Sequence, residues 1–76
     1  MHERASETKI ELVKVAEKLF SERGYDDTSV TDICNEVGVA HSLFYYYFDS
    51  KEDVIEAITD RMIEEIEDWL IEITED

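Results

Sequence analysis

Residues Thr28 to Lys51 read TSVTDICNEVGVAHSLFYYYFDSK, and this stretch decides the fold. Apolar residues at helical spacing lie on both sides of Gly38, so two short helices hinge at that glycine. A third helix opens near Lys51. Two apolar-faced helices joined by a tight glycine turn form a unit that lays one helix into a DNA groove. Tyr45, Tyr46 and Tyr47 are consecutive, so they cannot all face inward from one helix. Some must present hydroxyls outward.

Outward from that stretch, the chain is short and acidic. Its 76 residues make one small domain or a piece of a larger protein. One cysteine cannot form an internal disulfide, and no Cys/His cluster offers a zinc site, so neither metal nor cofactor is expected. Cys34 falls on an inward helical face and reads as a small core residue of a reducing cytoplasm. No lysine or arginine lies near it in sequence to activate the thiol. The start, MHERASETK, lacks the apolar run of a signal peptide, and no stretch has the length of a membrane span. A soluble, cytoplasmic protein is the expectation. No proline, two glycines and abundant Glu, Lys, Ile, Leu and Ala predict an all-α fold.

The charge runs against a nucleic-acid partner. Twenty-one acids against seven bases give −14, whereas such binders are expected to be basic. Its distribution matters more than its sum. Residues 60–76 carry eight acids and one base, Arg61, so half the excess lies in the last turns of the chain. Val37 to Phe48 contains no acid at all. That gap keeps carboxylates off a surface that would meet phosphate.

Four helices are expected. The first runs from about Ser6 to Arg23, with Leu12, Val13, Ala16, Leu19 and Phe20 inward, and Gly24 ends it as a C′ residue. The second starts after an N-cap at Thr28 or Ser29, with Asp32 completing a capping-box pattern from Ser29. Its inner face is Val30, Ile33, Cys34 and Val37. Gly38 makes the turn and Val39 plugs it into the core. The third spans about Ala40 to Tyr47, with Phe44 and Phe48 inward. The fourth begins at Ser50, with Ser50 and Asp53 as a second capping box, and continues to about Ile73. Its apolar residues Ile55, Ile58, Met62, Ile66, Trp69 and Ile73 keep a helical period over roughly 35 Å. A compact three-helix unit covers only the first half of that stripe. Met62 to Ile73 therefore needs another surface, a second domain or a second copy.

Over residues 8–60 the chain resembles the N-terminal DNA-binding domain of the tetracycline-repressor (TetR) family. The run ELVKVAEKLFSERGYDDTSVTDICNEVGVAHSLFYYYFDSKEDVIEAI carries the likeness. It holds the aliphatic pair and Leu-Phe before a glycine, then Gly-Tyr, Thr-Ser-Val with Asp-Ile, Gly-Val at the turn, Tyr-Tyr-Tyr-Phe, and Ser-Lys-Glu. The resemblance implies a homeodomain-like helix-turn-helix domain over residues 1–50. Residues 51–76 would be a fourth helix leading to a C-terminal ligand-binding and dimerisation domain that lies beyond residue 76. It further implies a homodimeric repressor that binds a palindromic operator in double-stranded DNA and answers a small-molecule effector through that second domain.

Carried over position by position, the third helix would lie in the major groove. Ala40, His41, Ser42 and Leu43 would stand at or beside base edges. Tyr45 and Tyr46 would grip phosphates, and Tyr47 would make either contact. Thr31 would touch a base, Thr28 and Ser29 would lie near the DNA backbone, and Lys51 would meet a phosphate at the start of the fourth helix. Three positions depart from the family. Ala40 replaces a serine that usually caps the third helix, His41 a frequent basic residue, and Leu43 a small polar one. Leu43 offers only an apolar touch, such as a thymine methyl. Other readings stay open. Tyr45 and Tyr47 could simply pack against neighbouring helices, and Lys51 could be an ordinary surface lysine. The whole domain could be a helical protein-interaction module that keeps this fold without binding DNA. No nucleophile–histidine–carboxylate arrangement or phosphate loop points to an enzyme.

Overall fold

The computed structural model describes residues 2–74, and side chains from Glu7 onward. Glu75 and Asp76, counted above in the acidic tail, lie outside the described residues. Four α-helices follow one another: α1 (His2–Arg23), α2 (Val30–Val37), α3 (His41–Tyr47) and α4 (Lys51–Thr74). α1 packs against α2 and α4, and α2 packs against α3. α1 starts at His2 rather than near Ser6, because nothing in the first residues breaks a helix.

The core gathers Leu12, Val13, Val15, Ala16 and Leu19 of α1, Ile33 and Cys34 of α2, Phe44 and Phe48 of the α3 region, and Val54 of α4. Phe20, Val30, Val37, Val39, Tyr47, Ala57 and Ile58 pack around them. The rings of Phe44 and Phe48 lie 5.4 Å apart at a tilt of 45°, one helical turn from each other, and anchor α3 in the core.

Local chemistry explains the ends of the helices. Gly24 takes φ 95° and its N–H donates to the Phe20 carbonyl at 2.8 Å, closing α1. Ser29, not Thr28, caps α2. Its hydroxyl accepts the Asp32 N–H at 3.0 Å, and the Asp32 carboxylate accepts the Ser29 N–H at 3.0 Å. The cap before α4 differs from the expected reciprocal pair. The Ser50 hydroxyl accepts the Asp53 N–H at 3.4 Å, but the Asp53 carboxylate accepts from Asp49 N–H at 2.7 Å, one residue further out.

α4 is held along its first half only. Val54 is buried and Ala57, Ile58 and Arg61 are half-buried, whereas Ile55, expected in the packed stripe, is exposed. Arg61 ties α4 back to α1 through Glu17 at 3.6 Å and also meets Glu65 at 3.3 Å. Past Arg61 the helix stands free. Met62, Ile66, Trp69 and Ile73 are each more than half exposed, as the length of the stripe predicts. Among the described residues no helix is long and apolar enough to cross a membrane.

Candidate nucleic-acid interface

The interface is built on the turn between α2 and α3. Gly38 adopts φ 89°, ψ 38°, the left-handed region that an L side chain disfavours. This lets the N–H groups of Gly38 and Val39 both reach the Cys34 carbonyl, at 2.7 and 3.0 Å. Val39 then packs on the core and fixes the angle at which α3 leaves. Ala40 caps α3 with extended backbone and gives it no side-chain hydrogen bond, a loss of about 1 kcal/mol against a serine.

With Phe44 buried, the other side of α3 faces solvent. His41 and Ser42 are exposed, and Tyr45 and Tyr46 are 51% and 75% exposed. Leu43 and Tyr47 are half-buried at the edges. Tyr45 sits edge-on to Phe44 at 5.1 Å and Tyr46 edge-on to Tyr47 at 5.0 Å, so each phenol is braced by a ring. Ser29 and Thr31 of the α2 start are also exposed. Because Ser29 accepts the cap bond, its own O–H proton is left to donate outward.

Two expected contact residues look elsewhere. Thr28 is 1% exposed, and its hydroxyl lies 2.9 Å from the Gly24 carbonyl and 3.3 Å from that of Leu19. It secures the end of α1, so its side chain is withdrawn from the surface where the resemblance placed it. Lys51 is half-buried, and its ammonium donates to the carbonyls of Tyr25 at 2.7 Å and Thr28 at 2.8 Å. The same nitrogen lies 4.1 Å from the centre of the Tyr25 ring. Lys51 therefore ties the start of α4 to the loop between α1 and α2. An ammonium has three N–H donors, and two are committed here. Sequence reasoning passes over Tyr25, the residue whose carbonyl and ring hold Lys51. Its one signal was its place straight after Gly24, where a ring must fold back on the domain. Burial first, then the charge of Glu52, raises the Tyr25 phenol above its ordinary pKa. The hydroxyl itself has no partner at hydrogen-bond geometry, so Glu52 acts on it as a nearby charge.

The two acids of α2 are paired, whereas Asp26, Asp27 and Asp49 are exposed beside the interface. Asp32 meets Arg23 at 3.2 Å and Glu36 meets Lys18 at 3.3 Å, which turns both acids of α2 toward α1. Cys34 is buried, and burial pushes its thiol pKa up, away from reactivity. Among the described residues no cluster of His, Cys, Asp and Glu could hold a metal.

A glycine-hinged helix pair that leaves one helix face open to solvent defines a helix-turn-helix domain of the kind used by transcriptional regulators. The profile described as "Bacterial regulatory proteins, tetR family" matches residues 12–58, and the chain belongs to that family. The match takes in all of α2 and α3 and runs into the packed part of α4. The chain is 32% identical over 62 residues to the HTH-type transcriptional regulator TtgR of Pseudomonas putida, covering 82% of this chain and 30% of that protein. It is 38% identical over 56 residues to an uncharacterized HTH-type regulator from the lacX 3' region of Lactococcus lactis, covering 74% and 29%. It is 42% identical over 48 residues to the biofilm operon negative regulator IcaR of Staphylococcus aureus, covering 63% and 26%. The chain thus spans less than a third of the length of these relatives. No solved structure gives a significant match.

Proposed function

We propose that this chain is the sequence-specific DNA-reading portion of a cytoplasmic TetR-family repressor. α3 enters the major groove, where His41, Ser42 and Leu43 meet base edges beside Ala40, and Thr31 reaches a base from α2. Ser29, Tyr45, Tyr46 and, at the edge, Tyr47 hold phosphates through hydroxyls. Lys51 keeps one N–H for a phosphate while the other two hold the fold. Residues 1–50 form the reading domain and residues 51–76 the link to a C-terminal part that dimerises and binds a small-molecule effector. The dimer would meet a palindrome, its reading helices about 34–36 Å apart or a multiple of that. No catalytic step belongs to this role.

The observation that carries the proposal is the outward row of hydroxyls on α3, in the longest stretch of the chain free of carboxylates. Selection from a randomised duplex pool, followed by Tyr46→Phe, tests it. Tyr46 is 75% exposed, so the change leaves the fold alone. It should weaken binding by about 1 kcal/mol, equally on all selected sequences. An effect confined to one base position contradicts the phosphate role.

A further inference from the structure

Between Arg23 and Lys51 the chain contains no lysine or arginine, and this is the segment that holds α2, the turn and α3. Among the described side chains, the cations outside it are paired, offset by carboxylates or turned away. Lys18 pairs with Glu36, Arg23 with Asp32, and Arg61 with Glu17 and Glu65. Lys9 lies 5.8 Å over the Phe48 ring, beside Tyr47, but Asp53, Glu56 and Asp60 border the same groove and outnumber its charge. Lys14 sits on the exposed side of α1, away from the core stripe of Leu12, Ala16 and Leu19. Lys51 gives two donors to backbone carbonyls. Among the described side chains, a duplex on α3 would meet one cation at most.

We propose that this domain grips DNA through an almost uncharged face, and that its binding persists at high ionic strength. The proposal rests on the DNA-reading role above. Salt weakens protein–DNA complexes because each cation placed on a phosphate releases counterions, and log K falls by about 0.9 per contact for each decade of salt. Six contacts would lose roughly 10⁵-fold between 0.1 and 1 M KCl, whereas Lys51 alone would lose about eightfold. Hydroxyl bonds to phosphates and contacts to base edges release no counterions. A second effect works the other way. The chain carries −14, and its exposed carboxylates repel the duplex. That repulsion reaches about 10 Å at 0.1 M salt and about 3 Å at 1 M. Raising salt removes repulsion while costing little attraction.

The test uses the full chain and duplexes selected in parallel from a randomised pool at 0.1 and 0.5 M KCl. Affinity is then read by fluorescence anisotropy from 0.1 to 1 M KCl. The expected change in Kd across that range is under about tenfold, in either direction. A loss greater than tenfold, with specific binding at low salt, overturns the uncharged grip and leaves the DNA-reading role standing. If neither selection yields a bound duplex, the DNA-reading role fails and the proposal falls with it. Tyr46→Lys supplies the second arm by placing a cation where a hydroxyl is expected to meet phosphate. It should steepen the dependence by about 0.9, an extra loss of about eightfold over the same range. Binding with an unchanged slope in that variant also overturns the proposal.

Discussion

Replacing Lys51 by methionine keeps the apolar stem and removes the ammonium. The lost contacts are donations at 2.7 and 2.8 Å to the Tyr25 and Thr28 carbonyls and the stacking 4.1 Å above the Tyr25 ring. Each charge-assisted bond contributes about 1.5 kcal/mol, the low end of the range because Lys51 is half-exposed, and the ring contact about 0.5. Freeing the side chain returns roughly 1.5 kcal/mol of rotamer entropy. A net loss of about 2 kcal/mol remains, which in a domain of this size lowers Tm by about 8–16 °C. Thermal unfolding followed by circular dichroism reads it directly. Lys51→Met should also flatten the salt dependence of DNA binding by about 0.9 if the third N–H meets a phosphate. A Tm within about 2 °C of the parent would refute the tether, because a solvated lysine contributes that little.

Other perturbations give separate outcomes. Gly38→Ala introduces a Cβ that meets nothing within 4 Å, so its cost is the left-handed backbone alone, about 1–2 kcal/mol in urea unfolding; no change would mean the turn readily adopts another path. The Asp32 carboxyl is held below its ordinary pKa of 3.8, first by the Ser29 backbone N–H and, less strongly, by Arg23. A depressed folded pKa contributes stability that is complete above the unfolded value and lost as pH falls through the folded one. Tm of the parent should therefore drop below about pH 4, and Asp32→Asn should remove part of that acid limb, with equal slopes for both proteins contradicting the cap.

Much of this was legible in the sequence, because helical period and end signals agree along the chain. Gly24, Ser29 with Asp32, and Gly38 set three helix ends where their chemistry requires, and the uncovered stripe beyond Arg61 followed from the length of α4. That some of Tyr45, Tyr46 and Tyr47 face outward followed from three adjacent rings on one helix, whereas the choice of Tyr45 and Tyr46 is set by the burial of Phe44 and Phe48. What stayed hidden was long-range. Thr28 and Ser29 are equal as N-caps until the end of α1 is placed over Thr28, whose hydroxyl then turns inward. Lys51 reads as a surface lysine because its partners are carbonyls more than twenty residues earlier, and carbonyls leave no mark in a sequence. Spacing alone puts Ile55 in the apolar stripe, yet the contact face of α4 turns toward Val54, Ala57 and Ile58.

The most direct measurement of the central claim is amide NMR of the full chain titrated with a selected duplex. The largest shifts are expected at Ser29, Thr31, His41, Ser42, Tyr45 and Tyr46, with Met62 to Ile73 unmoved. Shifts concentrated on the exposed stripe of α4, with α3 silent, would contradict it and leave this face as a protein-docking surface.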